Sequence, residues 1–305
     1  MGRSGRIDMG WHNNYDETMG RNDHKKALVV GSNSFLARAL SEQLVAKGHH
    51  VTGVYHSNKQ HLLATVRQVP YSALDRLESD YDWVFIVAAY IPKKTDEHIE
   101  EKLQKTNIDL VVQLIQRFSK ARIIFCSSVS VYGPSPGILK ETSGLHPTTL
   151  YGKSKVTAEE RVSESSSYAI VRFSSLFGCR MRPTTFLPLI IKDALSDARI
   201  RLFGTGARKQ NYIAVVDAAK YLVKAAEAEN NGVYLAVSEQ SISNLEAAQV
   251  VQTLLPNTTI AFAGKDSAPS FFYDNTMTRK TLGIVDHIPF KNAIDILIEC
   301  LKKEL

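Results

Sequence analysis

From Ala27 onward, apolar residues come in short unbroken runs separated by amphipathic stretches. Ala27-Leu28-Val29-Val30 carries no polar residue and ends at Gly31. A strand of that kind is buried on both faces, as in a parallel sheet. The next stretch places Phe35, Leu36, Ala39, Leu40, Leu44 and Val45 near helical spacing and stops at Lys47-Gly48. A cation followed by glycine suits a helix end. Val51 to Tyr55 predicts a second strand, so the folded part opens with a strand–helix–strand unit. The alternation continues with strands at Trp83–Val87, Ile123–Cys126 and Ala169–Phe173, and with helices at Ile99–Phe118 and Thr149–Val162. The first of these helices collects Leu103, Val111, Leu114, Ile115 and Phe118 on one face. This order predicts an α/β fold, a doubly wound parallel sheet with its ligand crevice beyond the carboxyl ends of the strands.

After Phe177 the pattern is less regular. Pro183 and Pro188 interrupt it, and strand-like pieces occur at Ile200–Phe203 and Val233–Leu235. Helices are expected at Val216–Ala228, Leu245–Leu255 and Phe290–Lys302; the last places Phe290, Ile294, Leu297 and Leu301 on one face. The expected organisation is a leader over 1–26, a dinucleotide-binding domain over 27–177, and a smaller substrate lobe formed mainly by 178–305, with some segments returning to the sheet. The leader is polar and has no apolar core, so it reads as a disordered extension and neither a signal peptide nor an anchor.

Composition narrows the function classes. The chain has 305 residues and a formal net charge of +6, spread along its length without a block of one sign. No basic stripe interleaved with aromatics is present, which argues against a nucleic-acid partner. No apolar run is long enough to cross a bilayer, so no membrane partner is expected. The cysteines, Cys126, Cys179 and Cys300, have neither CxxC nor metal spacing. They predict reduced thiols, a cytoplasmic protein and no metal.

Candidate chemistry begins at the first strand–helix turn, Gly31-Ser32-Asn33-Ser34-Phe35-Leu36-Ala37. A dinucleotide pyrophosphate binds at such a turn, on the free amides of the helix N-terminus. The glycine pattern is incomplete: Ala37 still permits close helix–strand packing, whereas Ser34 puts a side chain where phosphates should approach the backbone. The second strand ends in Tyr55-His56-Ser57-Asn58-Lys59. It has no carboxylate to bond ribose hydroxyls or repel a 2′-phosphate, and Ser57, Asn58 and Lys59 could donate to one. The reading is therefore NAD(P), with NADP(H) favoured over NAD(H).

The sharpest local pattern is Tyr151-Gly-Lys-Ser-Lys155. Positions four apart on a helix share a face, which places a phenol beside an ammonium. Lowering a phenol from about 10 to about 7 takes roughly 4 kcal/mol. A lysine about 4 Å away in a medium of effective dielectric about 20 supplies a similar amount. Such a pair could exchange a proton with a substrate hydroxyl while hydride moves at the carbon. Upstream, Ile123 to Gly133 is a buried strand opening into a hydroxyl-rich turn. Ser128, 23 residues before Tyr151, could bond the same substrate oxygen; Ser127 and Ser130 compete for that role, or serve as caps.

On these motifs the chain resembles the extended short-chain dehydrogenase/reductase family, the NAD-dependent epimerase/dehydratase group with its Rossmann sheet. Ser127–Gly133 and Tyr151–Lys155 match the serine and tyrosine–lysine motifs. Val87-Ala88-Ala89 resembles the stretch flanking the cofactor. Asn107 resembles the helix asparagine that helps order the active-site lysine. Val171 to Gly178 resembles the strand after the catalytic helix and the loop into the substrate lobe, and Gly204 to Ile213 with Asp217 resembles a further family segment. The resemblance implies Ser128, Tyr151, Lys155 and Asn107 as catalytic residues. It implies Gly31, Ser34, Phe35, Leu36, Tyr55, His56, Ser57, Lys59, Ala88, Ala89, Tyr151, Lys155 and Phe173 at the cofactor, and Ser128, Ser175 and Arg208 at the substrate. Departures fall at Ser34, Tyr55, Ser175 and Gln210; the last stands where the family has arginine, a role Arg208 could take.

Relatives that dehydrate sugars carry an adjacent acid pair where this chain has Val129 and Ser130. Neither can perform general acid–base work, which sets the dehydratase reading aside. A 4-keto reductase acting on a nucleotide-linked sugar is favoured, with a nucleotide-sugar epimerase as the alternative and a non-catalytic NAD(P) sensor as a third reading. The resemblance also implies a homodimer formed through the helices at Ile99–Phe118 and Thr149–Val162.

Overall fold

The structure is a computed structural model that describes residues 24–303 apart from 57, 60, 61 and 94. The expected leader thus falls largely outside the described residues, as does Ser57. Lys26, assigned to the leader, already belongs to the first strand.

The first half of the chain runs β1 (Lys26–Val30), α1 (Phe35–Ala46), β2 (His50–Tyr55), β3 (Arg67–Pro70) and β4 (Trp83–Ile86). It continues with α2 (Ile99–Leu103), α3 (Leu110–Arg117), β5 (Arg122–Ser128), β6 (Ile138–Leu139), α4 (Leu150–Ser163), β7 (Tyr168–Phe173) and β8 (Ser175–Phe177). The second half runs α5 (Phe186–Asp197), β9 (Arg199–Phe203), β10 (Lys209–Gln210), β11 (Tyr212–Ala214), α6 (Val215–Glu227), β12 (Gly232–Ala236) and β13 (Ile242–Ser243). It ends with α7 (Asn244–Leu254), β14 (Thr259–Ala263), β15 (Phe272–Tyr273), α8 (Thr276–Leu282) and α9 (Phe290–Lys302).

Seven strands form one parallel sheet in the order β12-β7-β5-β4-β1-β2-β3. The unbroken apolar runs have a simple cause. Successive side chains of a strand point to opposite faces, and both faces here are covered. Ala27 and Val29 of β1, Trp83 and Phe85 of β4, and Ile124 of β5 enter the core under α1 and α6. Leu28, Val30, Val84, Ile86, Ile123 and Phe125 enter the opposite core under α3 and α4. Each such side chain, fully buried, contributes about 1.5–3 kcal/mol, so neither face tolerates a polar residue.

The strand order places the crevice. From β1 the chain moves outward through β2 and β3, then returns to lay β4 on the other side of β1. The carboxyl ends of β1 and β4 therefore bound the switch point at which open α/β sheets bind ligands.

Two expectations need revision. The helix predicted over Ile99–Phe118 is divided: α2 and α3 are joined by a π-helical turn at Gln104–Asp109. The wider turn carries Asn107, which is buried and whose amide is tied to two other segments, as described below. Edge strand β3 was not foreseen, because Arg67-Gln68-Val69-Pro70 has only one apolar residue buried on the sheet, Val69.

The second half builds a separate core from Leu187 and Ile191 of α5, Ile200 and Leu202 of β9, Ala247 and Val251 of α7, and Ile294 and Leu297 of α9. By contrast, α6 and β12 return to the main sheet: β12 pairs with β7 along Gly232–Ala236, and α6 packs on α1. The reduced-thiol expectation is corrected for two cysteines. Cys179 and Cys300 form a disulfide with a Cα separation of 5.7 Å. They lie 121 residues apart, and only the seating of α9 beside the segment after β8 brings them together. Cys126 is free and buried. Among the described residues, no helix is long and apolar enough to cross a membrane, and no group of His, Cys, Asp and Glu could hold a metal ion.

Candidate active site

A cavity of about 1550 Å³ opens along the carboxyl ends of the strands. Drug-sized pockets usually occupy about 300–1,000 Å³, so this one has room for two ligands end to end. One end is the turn after β1. Gly31 has φ +92, and a Cβ there would stand 2.6 Å from the backbone nitrogen of Ala88. Only glycine gives the turn its left-handed conformation and lets the ends of β1 and β4 meet. Phe35 and Leu36, the first residues of α1, line the cavity, where a helix N-terminus offers amides without helical acceptors. Ser34 is less obstructive than its sequence position suggested. It caps α1, its Oγ accepting from the Ala37 amide at 3.2 Å. The cradle, the helix end and the lack of a phosphate-facing acid fit a dinucleotide. Gly31→Val is expected to abolish NAD(P) binding in a fluorescence titration and to lower thermal stability, because it combines a positive φ with a backbone clash.

The same cavity holds the tyrosine–lysine pair. Thr149 caps α4, its Oγ1 accepting from the Gly152 amide at 3.0 Å. A Cβ on Gly152 would lie 2.6 Å from the carbonyl oxygen of Ser130. Glycine inside the Tyr-Gly-Lys-Ser-Lys run thus allows the first turn of α4 to press against the turn after β5, which brings Tyr151 to Ser128. Lys155 is fully buried; its Nζ donates to the Cys126 carbonyl at 2.7 Å and lies 4.6 Å from the Phe125 ring centroid and 5.8 Å from that of Tyr151.

The electrostatics differ from the expected lysine-driven fall of the phenol. Burial pushes Tyr151 up to about 12, and neighbouring Cys126 adds to the rise; a hydrogen bond with Ser128 and the charge of Arg182 pull the other way. Burial brings Lys155 down to about 8, opposed by Cys126 and Glu159. The reason is geometric. The Lys155 ammonium is engaged by a strand carbonyl, while the phenol stands against cavity walls that penalise its anion.

The serines separate cleanly. Ser127 Oγ turns inward and donates to Glu159 Oε1 at 2.5 Å. Ser128 Oγ accepts from the Ser130 amide at 3.2 Å and stays beside Tyr151. Ser130 Oγ is buried without a partner, as is the Tyr212 hydroxyl, and both residues line the cavity. Asn107 does not touch Lys155: its amide donates to the Tyr90 carbonyl at 3.1 Å and to Ser154 Oγ at 3.0 Å, and its Oδ1 accepts from the Tyr90 amide at 2.8 Å. It pins the segment after β4 to α4 and reaches the lysine only through Ser154, the neighbour of Lys155 on α4.

The cavity also gathers Tyr55, His56, Ala88, Ala89 and Phe173 from the expected cofactor set, and Ser128, Ser175 and Arg208 from the expected substrate set. Lys59 is not among its lining residues and lies over the Tyr55 ring at 5.9 Å. Asp217 is not among its lining residues either, its carboxylate accepting from the Ile288 amide at 2.9 Å. Sequence reasoning missed Lys105, Tyr90, Arg180 and Arg182, which line the walls. None of the described lining residues is Asp or Glu, whereas Lys105, Lys155, Arg180, Arg182 and Arg208 are cationic.

Comparison with known proteins follows the same lines. A UDP-N-acetyl-alpha-D-glucosaminuronate decarboxylase of Bacillus cytotoxicus is 28% identical over 258 residues, 75% of this chain and 80% of the relative. An N-acetyl-alpha-D-glucosaminyl-diphospho-ditrans,octacis-undecaprenol 4-epimerase of Escherichia coli O157:H7 is 26% identical over 216 residues, 65% of this chain and 62% of the relative. Among solved structures, a UDP-glucuronic acid 4-epimerase mutant from Bacillus cereus, in complex with a fluorinated UDP-glucuronic acid and NAD, superposes with TM-score 0.81 at 20% identity, covering 92% of this chain and 100% of that one. A UDP-N-acetylglucosamine 4-epimerase from Methanobrevibacter ruminantium gives TM-score 0.82 at 18% identity, covering 92% and 99%. Residues 27–236 match the family described as the NAD dependent epimerase/dehydratase family. With the sheet, the glycine turn and the serine, tyrosine and lysine gathered in one cavity, the chain belongs to the NAD dependent epimerase/dehydratase family.

Proposed function

We propose that the protein is an NAD(P)-dependent oxidoreductase acting on a hydroxyl or ketone of a nucleotide-linked sugar, with Tyr151, Lys155 and Ser128 as its reactive centre. The observation that carries this reading is one large cavity that gathers the dinucleotide turn, these three side chains and several cations, with no carboxylate among the described lining residues. Such a wall suits two ligands that both carry diphosphates. Tyr151 holds the proton exchanged with the sugar oxygen, and Ser128 fixes that oxygen beside it. Lys155, mostly cationic at neutral pH because its pKa is about 8, favours the phenolate as it forms. A nicotinamide, when bound, would supply or accept the hydride, with Phe173 and the Gly31 turn among the residues that would hold the cofactor. Ser175 and Arg208, which line the same cavity, meet the substrate's phosphate side in this reading.

Within this class we favour a 4-keto reductase using NADP(H), on the strength of the acid-free end of β2 and Lys59 beside it. An epimerase that retains its nicotinamide is the second reading, supported by a cavity roomy enough for a keto sugar to present either face. A homodimer through the helices at Ile99–Phe118 and Thr149–Val162 goes with this reading. The test incubates purified protein with NADPH or NADH and a 4-keto nucleotide sugar. Loss of reduced-nicotinamide absorbance supports the reductase. Inversion of a nucleotide sugar with hydride retained supports the epimerase. Binding without turnover across a broad panel overturns the enzymatic reading and leaves a sensor. Lys155→Ala is expected to lower both turnover and NAD(P) affinity, checked by initial rates and by cofactor titration.

A further inference from the structure

Segment 178–185 runs from the end of β8 to α5 and forms one wall of the cavity through Arg180, Met181, Arg182 and Thr185. Its own hydrogen bonds are local. The Met181 amide donates to the Gly178 carbonyl at 3.2 Å, and Thr185 Oγ1 donates to the Arg182 carbonyl at 3.3 Å. Arg180 holds φ +68, a conformation that a residue bearing a Cβ keeps only when its surroundings enforce it. Met181 packs on the core shared by α5, α7 and α9, Thr185 leads into α5 with its carbonyl accepting from the Leu189 amide at 3.1 Å, and Cys179 is bonded to Cys300 in the last turn of α9, its Sγ 3.9 Å from the Ile296 carbonyl. Helix α9 does not need that bond to stay in place, because Ile294, Leu297, Ile298 and Leu301 are buried beneath it. Opening the bond therefore acts on the cavity wall and leaves the helix seated. Both cysteines are half-buried, within reach of a small thiol, unlike buried Cys126.

We propose that Cys179–Cys300 is a thiol–disulfide switch on the substrate side of the cavity, holding the 178–185 wall in its binding shape when oxidised and releasing it when reduced. A dithiol reductant opens it. One of its thiolates attacks a cysteine Sγ and expels the other cysteine as thiolate. Its second thiol then displaces the remaining cysteine. The reductant leaves as a disulfide, having given two electrons, and the cysteines keep the two protons. In the reduced state the side chains of Arg180, Met181 and Arg182 must be ordered afresh at each binding event, whereas the dinucleotide turn at Gly31 lies on other elements and is unaffected.

The experiment compares oxidised protein, protein treated with dithiothreitol, and Cys300→Ser. Trypsin reads the wall without any substrate: cleavage after Arg180 is expected to be slow when oxidised and fast in the other two. The next basic residue, Arg182, precedes Pro183 and is a poor tryptic site. For the nucleotide sugar, an arm that rests on the proposed function, KM is expected to rise about tenfold on reduction, since ordering each long side chain carries its own cost. NAD(P) affinity is expected not to move, and Cys300→Ser should ignore dithiothreitol. Equal cleavage rates in all three states overturn the switch. So does a peptide map showing Cys179 and Cys300 unpaired after treatment with a mild thiol oxidant. Absence of any nucleotide-sugar binding while reduction still accelerates cleavage would instead overturn the substrate reading and leave the switch standing.

Discussion

Tyr151→Phe is expected to reduce turnover by about three orders of magnitude, within the roughly 10²–10⁴-fold that a positioned proton donor or acceptor supplies. Affinity for NAD(P) should stay nearly unchanged. The change removes one oxygen and keeps the ring, so the packing of the first turn of α4 on the Ser130 carbonyl is retained. Lys155 also keeps its bond to Cys126. Ser127 cannot take over, being committed to Glu159, and no carboxylate is present among the described lining residues. Steady-state rates with a keto nucleotide sugar give the first quantity and cofactor titration gives the second. A variant that kept full activity would show that the proton travels by another route.

A second large effect is expected from Arg172→Ala, this time on stability. Arg172 of β7 and Glu159 of α4 form an ion pair at 2.7 Å in which both side chains are 6% exposed. The guanidinium binds both Glu159 oxygens, the Tyr132 hydroxyl at 3.0 Å and the Glu141 carbonyl at 3.0 Å. Removing one partner of such a pair leaves a buried charge without compensation, which costs about 3–5 kcal/mol. Urea unfolding should therefore show a lower midpoint at an unchanged slope. The double change Arg172→Met with Glu159→Leu should recover most of the loss, because a buried pair replaced as a unit by apolar side chains is often neutral. A single variant as stable as the native protein would place the pair in contact with water. The same pair sits one helical turn beyond Lys155 and bonds Ser127, the neighbour of Ser128, so loosening it should also lower turnover.

The parts of the molecule legible in the sequence share a local cause. The sheet could be read because strands buried on both faces leave no room for polar residues between Ala27 and Val30 or between Trp83 and Ile86. The gathering of Tyr151, Lys155 and Ser128 in one cavity could be read because Tyr151 and Lys155 lie on one helix and Ser128 ends β5. Features set by long-range placement could not. Arg180 and Arg182 carry no pattern of their own and matter only because β8 and α5 swing that segment over the cavity. Cys179 and Cys300 look like stray thiols until α9 docks. The expected fall of the Tyr151 phenol failed for a related reason: spacing gives the proximity of an amine, but which carbonyl that amine bonds is decided by β5.

The position of β12 has a consequence for how the chain reaches its native form. It lies beside β7 at the sheet's border, and α6 covers α1, although both come after residue 214. A nascent chain that has emerged only to Phe177 lacks the shield over its first helix and the last rung of its sheet. The amino-terminal half consequently cannot complete its core during synthesis until Ala236 has left the ribosome. A fragment truncated near residue 177 would expose a sticky, unfinished border in place of a self-sufficient cofactor-binding unit.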